Sequence, residues 1–268
     1  MRTAARERHI SVPRGVRVLP CVPGALDAER TAVASAPVRG VLFDLDGTLL
    51  DLDLHAFLRR YFGALQEVLA ELAGPDGARR AMDAVLDATE AMAVPHDGLT
   101  NRSVFERRFD EMTGLDIAAA APLLDTFYED IFPGLRGECG PAPGGREAMQ
   151  AALGLGLRVA VATNPIFPRR AIEHRMRWAG IGDLAPHVVT SYETSTACKP
   201  HGAYFREVAA ALGVAPHECV MVGDDAILDM AAADVGMRTF YVGSGTAEAD
   251  YAGNLDAFAD LLPRLVGD

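Results

Sequence analysis

Short apolar runs alternate with amphipathic stretches along most of the chain, starting near residue 39. Five of these runs are rich in β-branched residues and predict strands at 38–44, 157–164, 185–191, 218–225 and 237–243. The stretches 168–180 and 226–237, which follow the second and fourth runs, have the apolar spacing of helices. Strands that are apolar on both faces and alternate with helices are typical of a parallel sheet covered on both sides. The pattern therefore predicts an α/β protein with a doubly wound parallel sheet.

Residues 53 to about 140 break this alternation. Amphipathic stretches at 54–74, 77–94, 103–114 and 118–132 predict helices, and no convincing strand pattern lies among them. We interpret this block as an all-helical cap inserted after the first strand. The predicted organisation is thus a core made of residues 38–52 and 141–268, with a cap of residues 53–140.

Residues 1–37 differ from the rest of the chain, since they are rich in Arg, interrupted by Pro and lack a sustained apolar period. A targeting segment is one interpretation, but Glu7, Asp27 and Glu29 dilute its signal. The pattern favours a flexible N-terminal extension.

Composition narrows the possible partners and the compartment. The 268 residues carry a formal net charge of -12, which argues against nucleic acid or an anionic membrane as the main partner. No apolar run approaches the length of a membrane span. The four cysteines are scattered and form no C-x-x-C pair, as is typical of reduced thiols in a cytoplasmic protein.

Polar residues collect where the predicted strands end. Ligands of such sheets bind beyond the carboxyl ends of the strands. The candidate residues there, together with a lysine that precedes a predicted helix, are Asp44, Asp46, Thr163, Asn164, Lys199, Asp224 and Asp229.

Two carboxylates as close in sequence as Asp44 and Asp46 repel each other, so either a cation lies between them or the pair performs chemistry. Together with Asp224 they have the oxygen ligands that Mg²⁺ prefers. Lys199 adds a positive charge and Thr163 a hydroxyl, and both suit a phosphoryl group.

The chain resembles the haloacid dehalogenase superfamily from about residue 39 to its end. Four motifs occur in the family's order: "DLDGT" at 44–48, Thr163 in "VATN", Lys199 in "CKP" and "GDDAILD" at 223–229. The resemblance implies a Rossmann-like core and a phosphatase-type hydrolase that uses Mg²⁺.

The resemblance also implies a role for each matching residue. Asp44 would attack phosphorus and form an aspartyl phosphate, and Asp46 would act as the general acid and base and bind the metal through its backbone carbonyl. The phosphoryl oxygens would be held by Thr163 and Lys199, with help from the amide of Asn164. Asp224 would bind Mg²⁺, and either Asp225 or Asp229 would complete the metal shell, with the spacing favouring Asp229.

The expected substrate is a small phosphorylated metabolite, hydrolysed as a phosphomonoester. The alternatives are a 2-haloacid dehalogenase or a phosphosugar mutase of the same superfamily, and a non-catalytic binding protein on the same scaffold. Such dehalogenases need no metal and lack the second aspartate, so Asp46 counts against that alternative. The sequence leaves the identity of the metabolite and the oligomeric state open.

Overall fold

The computed structural model of the chain describes residues 36–96 and 98–267. Over these residues the strands are β1 (Gly40–Phe43), β2 (Leu50–Asp51), β3 (Gly140–Pro141), β4 (Arg158–Val161), β5 (Val188–Val189), β6 (Cys219–Gly223), β7 (Arg238–Tyr241) and β8 (Tyr251–Ala252). The α-helices are α1 (Leu54–Ala73), α2 (Ala78–Ala93), α3 (Asn101–Thr113), α4 (Ala121–Thr126), α5 (Gly145–Gly154), α6 (Arg169–Trp178), α7 (Gly202–Leu212) and α8 (Leu255–Val266). A π-helical turn, Phe127–Ile131, and a 3₁₀ helix, Phe132–Arg136, follow α4.

Six parallel strands form the central sheet, in the order β5–β4–β1–β6–β7–β8. Side chains of successive residues in β1 point to opposite faces. Phe43 packs edge-on against Phe258 of α8 on one face, with ring centroids 5.5 Å apart. On the other face, Leu42 belongs to a separate buried cluster with Phe205 of α7. The predicted doubly wound parallel sheet is confirmed.

The structure differs from the sequence pattern in its shortest elements. The stretch 226–237 forms a 3₁₀ helix, Met230–Val235, rather than an α-helix, and β5 has only two residues. The strands β2, β3 and β8 were not predicted, because two residues are too few to show an alternation.

The first described residues lie at the predicted junction between the N-terminal extension and the core. The extension predicted for residues 1–37 lies outside the described residues except for Ala36 and Pro37. The carbonyl of Ala36 accepts a hydrogen bond from the Arg238 guanidinium, and the amide of Val38 donates to the carbonyl of Leu265 at 2.8 Å. The chain therefore contacts the core slightly before residue 38.

Helices α1 to α4 lie between β2 and β3, which pair antiparallel where the chain leaves the core and returns to it. No strand occurs between residues 52 and 139 among those described, as the sequence pattern indicates. The boundaries of a separate cap domain stay a prediction. No helix in the described part of the chain is long and apolar enough to cross a bilayer.

Aromatic side chains join this helical block to the core. The ring of Phe132 stacks on that of Trp178 from α6, with centroids 5.4 Å apart and planes 8° apart. Phe132 also meets the ring of Phe57 from α1 edge-on at 6.0 Å. Because Phe132 is fully buried between the two, it fixes how α1 approaches α6.

We predict that Phe132→Ala lowers the free energy of unfolding by about 3–5 kcal/mol, because it removes buried apolar area and leaves a cavity. The neighbouring Ile131 is 42% exposed, so Ile131→Ala is a matched control and should change the same quantity by less than about 0.5 kcal/mol. Urea unfolding of both variants measures the difference. Equal losses would show that the aromatic contact does not hold the helical block to the core.

Candidate active site

The predicted polar residues meet at the carboxyl edge of the sheet, around a pocket of about 380 Å³. The strand β1 lies between β4 and β6, so three neighbouring strand ends converge there. The sequence-predicted residues that line the pocket are Asp44, Asp46, Thr163, Asn164, Lys199, Asp224 and Asp229.

Lys199 lies at the centre of the charged groups. Its ammonium donates hydrogen bonds to Asp44 Oδ1 at 2.7 Å and to Asp229 Oδ1 at 2.6 Å, and its side chain is 1% exposed. Burial alone would lower the pKa of Lys199, but the two carboxylates more than offset this and raise it above its ordinary value. Lys199 therefore carries a positive charge throughout the physiological range.

Carboxylates outnumber cations around this lysine. Asp44, Asp224 and Asp229 each have an oxygen within 4.8 Å of the others. Burial raises the pKa of Asp44 well above its usual range, and repulsion from Asp229 and Asp46 adds to this, while Lys199 opposes it. Burial raises the pKa of Asp224 as well. A compact set of carboxylate oxygens with unbalanced negative charge fits a hard divalent cation.

Close contacts between the ends of β1 and β6 explain why Gly47 and Thr48 occur in "DLDGT". The hydroxyl of Thr48 donates to Asp224 Oδ1 at 3.0 Å, which orients this carboxylate. Gly47 has a φ of +88°, and a Cβ atom there would lie 2.3 Å from Asp224 Oδ2. Only glycine permits this approach, so Gly47 is needed for Asp224 to lie beside β1.

Buried hydroxyl groups fix the end of β4. The carbonyl of Thr163 accepts hydrogen bonds from Thr190 Oγ1 at 2.7 Å and from the Tyr204 hydroxyl at 2.9 Å. Asn164 Oδ1 accepts a hydrogen bond from the backbone amide of Lys199 at 3.1 Å. These bonds hold Thr163 and Lys199 in one unit. Sequence reasoning missed Thr190 and Tyr204, which act through backbone contacts that leave no motif.

Asp225 and Asp229 occupy different positions. The Asp225 carboxylate is exposed. Its Oδ1 accepts hydrogen bonds from the backbone amides of Ile227 and Leu228, both at 2.8 Å, and these bonds stabilise the turn after β6. Asp229 is buried, and its Oδ2 accepts a hydrogen bond from the backbone amide of Asp225 at 3.0 Å. Since both oxygens of Asp229 have protein donors, its contact with Lys199 orients the ammonium. Its role as a metal ligand stays a prediction.

Arg175 of α6 is a site residue that the sequence analysis missed. Its guanidinium is buried, lies 4.4 Å from the centroid of the Phe167 ring and donates from Nη1 to Asp46 Oδ2. Its Nε and Nη2 are also buried and have no hydrogen-bond partner among the described residues. One signal could have identified it, because Arg175 falls in the same helical register as the buried residues Ile172 and Trp178. A charged residue on an apolar helix face needs a partner.

The family model for haloacid dehalogenase-like hydrolases matches residues 38–235 of this chain. The chain belongs to this family. The haloacid dehalogenase-like hydrolase domain-containing protein 3 of Xenopus laevis is 39% identical over 101 residues, which are 37% of this chain and 40% of that relative. The matched part is thus less than half of the relative's length.

Solved structures of the family share the fold. A 2-haloacid dehalogenase from Pseudomonas syringae pv. Tomato DC3000 has a TM-score of 0.57 and 24% identity, over 85% of this chain and 99% of that one. A HAD phosphatase from Thermococcus onnurineus has a TM-score of 0.54 and 22% identity, over 84% of this chain and 98% of that one. The HAD-hydrolase YfnB from Bacillus subtilis, determined with bound magnesium, has a TM-score of 0.51 and 19% identity, over 85% of this chain and 99% of that one. Haloacid dehalogenase-like hydrolases typically use a divalent metal, and the cluster of Asp44, Asp224 and Asp229 is compatible with one.

We predict that Mg²⁺ stabilises the protein more at pH 8 than at pH 5.5. Groups whose pKa is raised by folding, such as Asp44 and Asp224, destabilise the folded protein when ionised, and this effect grows as pH rises above the ordinary carboxyl range. A bound cation removes this repulsion, whereas at low pH it must first displace protons. At a hundred times its Kd, the ion would add about 2.7 kcal/mol of stability.

Thermal unfolding with and without Mg²⁺ at both pH values measures this effect. Asp224→Asn should abolish the Mg²⁺-dependent rise in Tm, whereas the matched substitution Asp225→Asn should retain it, because Asp225 lies outside the cluster. An Mg²⁺ effect that survives in Asp224→Asn would place the cation elsewhere.

Proposed function

We propose that this haloacid dehalogenase-like hydrolase is an Mg²⁺-dependent phosphomonoester hydrolase that works through an aspartyl phosphate on Asp44. The observation that carries the proposal is the charged group at the strand ends. There, the Lys199 ammonium bridges Asp44 and Asp229 beside Asp224. A phosphate ester brings further negative charge, and a cation held by these carboxylates would join Lys199 in balancing it.

In the first step, a carboxylate oxygen of Asp44 attacks phosphorus, and the bond from phosphorus to the ester oxygen breaks. Asp46, in its protonated form, donates its proton to the departing alkoxide, which leaves as an alcohol. The negative charge on the phosphoryl oxygens would be balanced by Lys199, and the Thr163 hydroxyl would donate a hydrogen bond to one of them.

In the second step, water attacks the phosphorus of phospho-Asp44, and Asp46, now a carboxylate, takes its proton. The bond between phosphorus and Asp44 breaks, which regenerates the free carboxylate and releases inorganic phosphate. One residue thus serves as acid and then as base. Asp46 suits this role because it lines the pocket and its carboxyl group is oriented by the hydrogen bond from Arg175 to Oδ2.

The side chains of Asp44 and Asp224 and the backbone carbonyl of Asp46 would hold the Mg²⁺ ion, with Asp229 nearby. When bound, the ion would neutralise the charge between the nucleophile and the phosphoryl group. The substrate we propose is a small phosphorylated metabolite.

A 2-haloacid dehalogenase is the second candidate, because such enzymes are among the solved structures with this fold. Its nucleophilic aspartate would attack carbon and release halide. The proposal favours phosphate for two reasons. A second carboxylate at Asp46 offers proton transfer that a departing halide does not need, and Asp224 offers a cation site that this chemistry does not use. Assays with 2-chloropropionate as well as phosphate esters separate the two reactions.

We predict that Asp44→Asn abolishes hydrolysis of every phosphate ester, because an amide cannot form the phospho-enzyme. Asp46→Asn should lose about 10²–10⁴ in kcat/KM on alkyl phosphates, whose basic alkoxides need a proton. It should lose far less in its first step on p-nitrophenyl phosphate, and phospho-Asp44 should accumulate. Steady-state kinetics and intact mass measure these effects. Equal losses on both ester types without a trapped intermediate would contradict the role of Asp46.

We also predict that Arg175 positions Asp46 for proton transfer. Arg175→Met should lower kcat on alkyl phosphates by about 10–100-fold, since a small misplacement of a catalytic group has such an effect. Hydrolysis of p-nitrophenyl phosphate should fall much less, and Arg175→Lys should restore part of the loss because it can still donate to Asp46.

Arg177→Met is the matched control, because Arg177 is an exposed arginine on the same helix. It should leave kcat on both ester types unchanged. If Arg175→Met affected both esters equally, its role would be limited to the stability of the fold.

A further inference from the structure

A second cavity, of about 260 Å³, lies beside the catalytic pocket, between helices α1, α2 and α3 and the loop after β4. Its walls are aliphatic and aromatic, as represented by Leu65, Leu69, Val85, Phe105 and Leu124. No charged side chain is among the described residues that line it. The cavity is therefore suited to an apolar group and unsuited to an ion or a sugar.

Three of the four hydroxyl side chains that line this cavity, those of Tyr61, Thr89 and Tyr128, have protein partners. The hydroxyls of Tyr61 and Tyr128 are hydrogen-bonded to each other at 3.0 Å. Thr89 Oγ1 donates to the carbonyl of Val85, one helical turn earlier, at 2.8 Å. Since these polar groups are satisfied without a ligand, a polar occupant would gain little from them and an apolar one would lose nothing.

The cavity adjoins the catalytic pocket. Leu58, Ile166 and Phe167 line both, so the two spaces are neighbours with an apolar boundary. Ile166 and Phe167 follow Thr163 and Asn164 in the chain, with Pro165 between them, and all four line the catalytic pocket. A group attached to a phosphate at Asp44 would therefore share the pocket with this boundary.

The walls of the catalytic pocket favour the same kind of group. Apart from the ionic residues and the polar groups already described, the side chains that line it are aliphatic or aromatic, as at Leu52, Leu54 and Leu228. Arg175 Nη1 is engaged by Asp46, and the other guanidinium nitrogens are buried. The hydroxyl groups of a sugar would lose hydrogen bonds to water and find few replacements here, at a cost for each unpaired group.

We propose that the substrate is a monophosphate ester of an apolar alcohol, an alkyl or aryl phosphate whose tail occupies the cavity between α1, α2 and α3. This inference rests on the proposed function and names its substrate class. The phosphoryl group lies at Asp44 and Lys199, and the tail passes Leu58, Ile166 and Phe167 into the cavity.

Hydrolysis of a series of n-alkyl phosphates from ethyl to decyl, followed by phosphate release, tests the proposal. Each methylene group that enters the cavity should raise kcat/KM about fourfold, until the cavity is full. The rise should appear mainly in KM, because the tail binds before and during the reaction. A kcat/KM that is flat across the series would overturn the proposal.

Filling the cavity provides the matched test. Val85→Phe places a ring in the cavity away from the catalytic pocket, and Val94→Phe makes the same change at an exposed position beyond the end of α2. Val85→Phe should retain activity on ethyl phosphate and lose at least tenfold on octyl phosphate, and Val94→Phe should behave like the parent protein. Leu86→Phe, at a partly exposed lining position, serves if Val85→Phe does not fold. Full retention of octyl phosphate activity in the folded cavity-filled variant would contradict the proposal.

A binding measurement separates this inference from the proposed function. Titration calorimetry with alkylphosphonates, which cannot be hydrolysed at the phosphorus–carbon bond, should show a Kd that falls with chain length in the parent protein and less steeply in Val85→Phe. If no ester is hydrolysed, the proposed function fails, and these Kd values still decide whether the cavity binds an apolar tail. If p-nitrophenyl phosphate is hydrolysed but chain length changes neither Kd nor kcat/KM, only the cavity proposal fails.

Discussion

The buried contact of Lys199 with Asp44 and Asp229 is the constraint on which the rest of the site depends. One ammonium faces more carboxylates than it can balance, and such an arrangement lowers stability unless another cation is supplied. The fold makes it possible through strand order, since β1 lies between β4 and β6. It also depends on glycine, because a Cβ atom at Gly223 would lie 2.2 Å from Asp229 Oδ2. Apolar clusters on both faces of the sheet stabilise the framework that holds these charges together.

The same charge arrangement explains how two carboxylates can stand two residues apart after β1. Asp44 and Asp46 do not share one cation through their side chains. Asp44 contacts Lys199, which follows β5, whereas Asp46 contacts Arg175 on α6. Separate cations in separate surroundings are compatible with the different tasks proposed for the two carboxylates, nucleophile for Asp44 and proton carrier for Asp46.

The sequence predicted the parallel sheet and the residues at its edge because both follow from local patterns. An apolar run that ends in a polar group identifies a strand and its carboxyl end together, and parallel strands bring those ends to one edge. The partner of Asp46 could not be predicted in this way, since Arg175 lies 129 residues away and their contact leaves no periodic trace. The contact of Asp229 with Lys199 was missed for a related reason. Spacing indicates that a carboxylate is near the site, but not whether a metal or an ammonium binds it.

Phe167 connects the proposed proton carrier with the apolar cavity. Its ring lies against the Arg175 guanidinium, which holds Asp46, and the same ring lines both the catalytic pocket and the cavity. A general acid must lie within hydrogen-bond distance of the oxygen that it protonates. In the proposed mechanism the leaving oxygen would lie within reach of Asp46, in the pocket that Phe167 also lines. Because the same ring lines the apolar cavity, the group attached to that oxygen would have this cavity as a neighbouring space.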